Sequence, residues 1–80
     1  MKLTPTERRL IRLLDSLEGR AMSKAGLAEE LECSIKTVDR LISHLRREGM
    51  LEITPTFDAR GAQLANAYKL IQPLEVALAL

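Results

Sequence analysis

Eighty residues allow one domain, near the lower limit at which a single core outweighs chain entropy without disulfides or metal. Hydrophobic residues make up 46% of the chain with one Tyr, one Phe and no Trp, so the core has to be aliphatic, and a charged fraction of 29% argues against disorder. One Cys excludes an intramolecular disulfide, no apolar run reaches membrane-spanning length, and the first residues carry a helix signal in place of a secretory segment, so a cytoplasmic location is expected.

Thr4-Pro5-Thr6-Glu7 predicts a helix start, with Thr4 as N-cap, Pro5 at the first helical position and Glu7 closing a capping box. The helix is expected from Pro5 to about Glu18, burying Leu10, Leu13, Leu14 and Leu17 with Ile11 at the edge. Glu7, Arg8, Arg9, Arg12 and Asp15 are expected to face outward, and Gly19 to end the helix. Arg20 to Met22 would form a short strand pairing with a later hairpin. Ser23 caps a second helix, Lys24 to Leu31, with Leu27, Ala28 and Leu31 on one face. Ser34 caps a third helix over residues 35–48, with Val38, Leu41, Ile42 and Leu45 at the 3.6-residue period and Gly49 as its left-handed end. Cys33, in the turn between these helices, reads as a small packing residue.

Beyond Gly49, Leu51 and Ile53 alternate with Glu52 and Thr54 as in a half-buried strand, and Pro55 confines that strand to an edge or ends its pairing. Asp58-Ala59-Arg60-Gly61 supplies turn chemistry, and Ala62 to Ile71 carries a second period-two pattern through Leu64, Asn66, Tyr68 and Leu70. Propensity alone would let the Ala-rich stretch 62–70 be helical, whereas spacing and turn chemistry favour a hairpin. After Gln72-Pro73, Leu74 to Leu80 has helix-forming composition with apolar residues on nearly every side. Residues 1–72 therefore read as the domain and 73–80 as a helical tail, which could pack on the first helix, serve as a dimerisation segment or be the start of a longer protein. A two-fold homodimer through Leu74, Val76, Leu78 and Leu80 together with the first helix is expected.

Ala28 at a close approach of two helices, Ser34 at the end of the turn, then Thr37, Val38 and Leu41, resemble position by position the helix-turn-helix of bacterial transcriptional regulators. Glu32 departs from that pattern, because the turn commonly carries Gly, which takes positive φ without a Cβ penalty. With the hairpin as a wing, the resemblance implies a winged helix-turn-helix, mainly α with a small β-hairpin (α+β), built as a three-helix core plus wing and short C-terminal helix. Asn66-Ala67-Tyr68-Lys69-Leu70 also resembles the N-x-Y-x-L ending on the last wing strand of some plasmid and phage replication proteins.

Such a fold reads DNA with side chains opposite the buried stripe of its third helix, here Lys36, Thr37 and Arg40, with His44 and Arg47 further along. Arg40 suits paired hydrogen bonds to guanine, Lys36 suits guanine or phosphate, and the Thr37 methyl suits thymine. Ser34 and Ile35 lie at the edge, and Arg60 at the wing tip is placed for a minor groove or its phosphates. Between residues 34 and 47 four cations face one acid, a local charge of +3 in a chain whose total is +1. The expected function is sequence-specific binding of double-stranded DNA as a bacterial transcriptional regulator. A replication initiator uses the same chemistry, and the low total charge favours a third reading, a winged helix that binds protein. No enzyme, cofactor or metal is expected. His44 and Cys33 are the single residues of their kinds, no glycine-rich phosphate loop exists, and Glu29, Glu30 and Glu32 point in different directions on a helix.

Overall fold

The computed structural model describes residues 2–79. The Thr4 hydroxyl accepts the Glu7 N–H at 3.1 Å and Glu7 Oε1 accepts the Thr4 N–H at 2.8 Å, so the expected capping box opens α1 (Pro5–Ser16). The helix stops at Ser16 because Glu18 already takes φ 51°, ahead of Gly19 at φ 83°. Arg20 then covers the open end, its Nε 2.8 Å from the Leu17 carbonyl and its Nη2 3.2 Å from that of Ser16. The buried stripe also differs from expectation. It runs through Glu7, Leu10, Ile11 and Leu14, while Leu13 and Leu17 are half-buried. Ile11 is therefore central, and Glu7, expected outside, continues the same stripe one turn earlier.

Ser23 accepts the Gly26 N–H at 3.0 Å to start α2 (Lys24–Leu31), and Ser34 accepts the Thr37 N–H at 3.0 Å to start α3 (Ile35–Arg47). Leu27, Ala28 and Leu31 face Val38, Leu41, Ile42 and Leu45 across this pair, and all are buried. At ~25 cal/mol per Å² of apolar surface removed from water, each full-sized side chain here contributes ~1.5–3 kcal/mol. The end of α3 is a paired cap: Met50 N–H reaches the Leu45 carbonyl at 2.9 Å and Gly49 N–H the Arg46 carbonyl at 3.0 Å, with Gly49 at φ 72° and Met50 buried beneath it.

That cap aims the chain into β1 (Leu51–Thr54), which pairs antiparallel with β2 (Ala67–Leu70) in the register Leu51 to Leu70, Glu52 to Lys69, Ile53 to Tyr68 and Thr54 to Ala67. The second strand is shorter than the expected span of 62–71, and the Ala-rich stretch is not helical. Among the described residues, 20–22 do not form the expected third strand; the Met22 N–H donates to the Asn66 carbonyl at 3.2 Å, just ahead of β2. A short α4 (Leu74–Leu78) follows and packs on α1, burying Ala77 and half-burying Leu74 and Leu78, while Arg8 donates to the Leu78 carbonyl. The tail is thus partly covered by α1 of its own chain, one of the arrangements the sequence left open, and a homodimer is left a smaller apolar surface than the four expected side chains. Val76 stays exposed, and Leu80 lies outside the described residues.

Candidate nucleic-acid interface

The angle between α2 and α3 is set at Glu32, which adopts φ 55°, ψ 45°. Its N–H reaches the Glu29 carbonyl at 3.2 Å and the Cys33 N–H reaches that of Ala28 at 3.0 Å, the bond pair that a glycine usually completes. The turn therefore closes in the left-handed conformation despite the Cβ, with strain that the burial of the two flanking faces offsets. Cys33, half-buried, packs at the edge of the core as expected.

Fixing α3 by its buried stripe leaves the opposite face to solvent. Lys36, Arg40 and Arg47 are exposed there with Thr37 half-buried among them. The Ser34 and Thr37 hydroxyls lie 2.9 Å apart, so Ser34 is engaged in capping and in holding Thr37. Ser34, Lys36, Thr37 and Arg40 line one shallow pocket at the start of the helix; Thr37 and Arg40 also line a second groove with His44 and Arg47. The acid of this face, Asp39, pairs with Lys24 at the start of α2. Among the described residues no ion pair engages Lys36, Arg40, Arg47 or Arg60. Ile35, at the first position of α3, is 53% exposed.

His44 differs from its neighbours. Its Nδ1 lies 2.6 Å from Glu7 Oε2 and its Nε2 3.7 Å from Glu48 Oε1, so it is half-buried and committed to the protein. Glu7 is the buried charged residue of the core, 2% exposed. Burial by itself would raise its carboxyl, but hydrogen bonds from the Thr4 N–H, His44 and the Thr4 hydroxyl outweigh that and hold it below the ordinary value. Glu7 consequently ties α1 to α3. Sequence reasoning assigned it only the capping box. The spacing of Glu7, Leu10, Ile11 and Leu14 was the signal that it faces inward.

The wing presents Arg60 on a different footing. Residues 55–66 connect the strands through an isolated bridge between Phe57 and Gln63 and a tip in which Asp58 Oδ1 accepts the N–H groups of Arg60, at 2.8 Å, and Ala62, at 3.0 Å. Arg60 is exposed at that tip, and Phe57 and Leu64 are 58% and 52% exposed on the same arm. The structure brings Ser34, Lys36, Thr37, Arg40, His44 and Arg47 together on one helix and leaves Arg60 on a separate projection.

A pair of helices joined by a sharp turn, a first helix clamped across them and a hairpin after the second member of the pair define a winged helix-turn-helix domain. No protein-family model and no curated protein matches the sequence. Solved structures do match in fold. The adhesin competence repressor AdcR of Streptococcus pyogenes is similar at a TM-score of 0.72 and 24% identity, over 98% of this chain and 53% of that one. ZitR of Lactococcus lactis, a zinc-responsive MarR family member, is similar in its complex with DNA at a TM-score of 0.73 and 19% identity, over 99% and 50%. MepR, a transcription regulator of the Staphylococcus aureus multidrug efflux pump MepA, gives 0.72 and 17%, over 98% and 54%. The chain spans about half the length of these proteins, and the likeness is one of fold. No helix among the described residues is long and apolar enough to cross a membrane.

Proposed function

We propose that this domain binds double-stranded DNA sequence-specifically, as the reading part of a bacterial transcriptional regulator, with α3 in the major groove. The observation that carries the reading is the exposed face of α3, where Lys36, Arg40 and Arg47 enter no ion pair among the described residues and stand around Thr37, opposite a buried stripe. A helix presented in this way offers bidentate donors to guanine from Arg40, a cation to guanine or phosphate from Lys36, and a methyl to thymine from Thr37. Ser34 sits at the positive end of the helix, where a phosphate is favoured. Arg47 meets phosphate, His44 backs the contact surface, and Arg60 reaches the flanking minor groove. The DNA complex of ZitR, similar in fold, supports this reading over a protein-binding winged helix. A replication initiator would use the same surface, and the identity of the recovered sites separates the two.

The test is a duplex recovered by selection from genomic fragments, titrated across salt. Arg40→Ala should weaken the preferred duplex by ~1–3 kcal/mol and relax specificity at one position. Equal affinity in parent and variant removes the base-reading role, and absence of salt-dependent binding to any duplex returns the protein-binding alternative.

A homodimer belongs to the same proposal. Leu74 and Leu78 are half-buried against α1 and the core, so the apolar surface on offer is Val76, exposed on α4, and Ile71, exposed between β2 and α4. A two-fold pair would present two α3 helices to half-sites about one DNA turn apart. Light scattering should give a mass of two chains at high micromolar concentration; a single-chain mass there withdraws the dimer and leaves the DNA reading standing.

A further inference from the structure

The chain ahead of α1 is pinned at two successive points, and the residue that holds the second is itself bonded to the reading helix. Leu3 is buried in the core, the Thr4 N–H is held by Glu7 Oε1 at 2.8 Å, and Oε2 of the same carboxylate holds His44 Nδ1 on α3 at 2.6 Å. The strap of residues 2–4 with the first turn of α1, and the flank of α3, are thereby the two walls of one open groove. Lys2, Thr4 and Thr6 line it on one side, and Thr37, Arg40 and Arg47 on the other. Its charge is mainly positive, three cations, Lys2, Arg40 and Arg47, against the one carboxylate of Glu7. Lys2, Arg40 and Arg47 enter no ion pair among the described residues, and both oxygens of Glu7, at the floor, are already taken by Thr4 and His44.

We propose that this groove seats one phosphate strand of the duplex whose major groove α3 reads, with Lys2 of the strap supplying the charged contact and Thr6, in the first turn of α1, a hydroxyl contact. The inference rests on the DNA reading above and extends it to a third element besides α3 and the wing. An α-helix with its side chains is ~10–12 Å across and the major groove is ~12 Å wide, so whatever flanks an inserted helix meets the sugar-phosphate edge. A wall of lysine and threonine is suited to that edge, because phosphates accept from cations and hydroxyls alike while carrying no base information. The groove's rigidity matters as much as its charge. The buried Leu3 and the Glu7 carboxylate fix where the strap lies, so Glu7 is a positioning residue for this contact and Thr4, whose hydroxyl is spent on the Glu7 N–H, is structural.

The experiment uses the intact chain and the selected duplex, with affinity measured by fluorescence anisotropy at a series of salt concentrations. The proteins are the parent, Lys2→Ala, Lys2→Arg, Thr6→Ala and, as a reference for base reading, Arg40→Ala. Each phosphate contact contributes ~0.9 to the slope of log affinity against log salt, so Lys2→Ala should make the slope shallower by ~0.9 and Lys2→Arg should restore it. The loss should be the same factor on selected and unrelated duplexes. Ethylation interference should show a phosphate cluster on one strand beside the groove read by α3, and that cluster should fade in Lys2→Ala. Should the parent bind and Arg40→Ala relax specificity while Lys2→Ala keeps the parental slope, the strap contact falls and the DNA reading survives. Should the parent bind no duplex, both fall together.

Discussion

The helix pair and the wing are ordered by different means, although both are proposed to touch the same ligand. Between Lys24 and Arg47 seven apolar side chains are buried, and each helix start is closed by a serine hydroxyl. In the hairpin Leu51 and Tyr68 are buried and Ile53 and Leu70 half-buried against the core, and beyond Pro55 the arm is held by local polar bonds around Asp58 and Thr56. The reading helix is therefore as rigid as the core itself, whereas the wing tip is as firm as a few exposed hydrogen bonds. A surface that discriminates bases needs the first kind of order. One that meets phosphates at variable positions is served by the second.

The comparison is most easily broken by removing the same side chain from each region. Leu45, fully buried on α3, should cost ~2–5 kcal/mol on truncation to Ala, a large share of the ~4–12 kcal/mol available to a chain of this size. Leu64, exposed on the arm, should cost less than ~0.5 kcal/mol on the same truncation. Urea denaturation of both variants reads the difference directly. Similar midpoints for the two would mean that the wing shares the core's cooperative unit.

That asymmetry also governs how much was legible in the sequence. In the helix pair, apolar period and cap residues agreed, and the boundaries of α2 and the start of α3 fell on Ser23, Leu31 and Ser34 as expected. The turn was harder to read, since Glu32 takes a conformation that its side chain disfavours and only the packed faces enforce. The second wing strand was overextended because Leu64 and Asn66 continue a period-two pattern that no partner strand answers. Pro55 withdraws a donor from the ladder, and Asp58 satisfies the Arg60 and Ala62 amides that pairing would otherwise have used. Glu7 was misplaced for a different reason. Carboxylates are surface residues by type, and its bond to His44 spans 37 positions that no local pattern connects. Of the candidate interface, the residues on α3 were readable from one helix's periodicity. The strap was not, because its position depends on that same distant bond.

A sharper form of the comparison concerns acid. Glu7 has its carboxyl held below its ordinary value of 4.5, so its stabilisation is fully present above that pH and is lost as pH falls through the folded value. Glu7→Gln offers one carbonyl where the carboxylate offered two oxygens, and the Thr4 N–H and His44 cannot both be satisfied as before. A loss of ~1–3 kcal/mol near neutrality is expected. Thermal melts from about pH 7 down to about pH 3 should then show the gap between parent and variant closing as the parent's carboxylate protonates. A constant gap across that range would assign the cost to packing alone. The wing, which has no such buried group, should keep its hydrogen-exchange pattern in the variant.

The smallest effect is expected at the wing tip, where it isolates local order from global stability. Asp58 Oδ1 accepts two backbone amides, Arg60 at 2.8 Å and Ala62 at 3.0 Å, in a segment exposed on every side. Asp58→Ala removes both bonds, yet water can reach the freed N–H groups, so no buried donor is left unsatisfied and the global cost should stay below ~0.5 kcal/mol. What changes is the population of the tip conformation that holds Arg60 in place. Amide exchange at Arg60 and Ala62 should quicken in Asp58→Ala while amides of α3 keep their rates, and Asp58→Asn, which retains an acceptor oxygen, should restore protection. On DNA the variant should lose affinity by one factor on all duplexes, since a wandering Arg60 weakens a phosphate or minor-groove contact without altering what Arg40 reads. If exchange quickens along α3 as well, the tip and the reading helix are one cooperative body, and the division between the two regions does not hold.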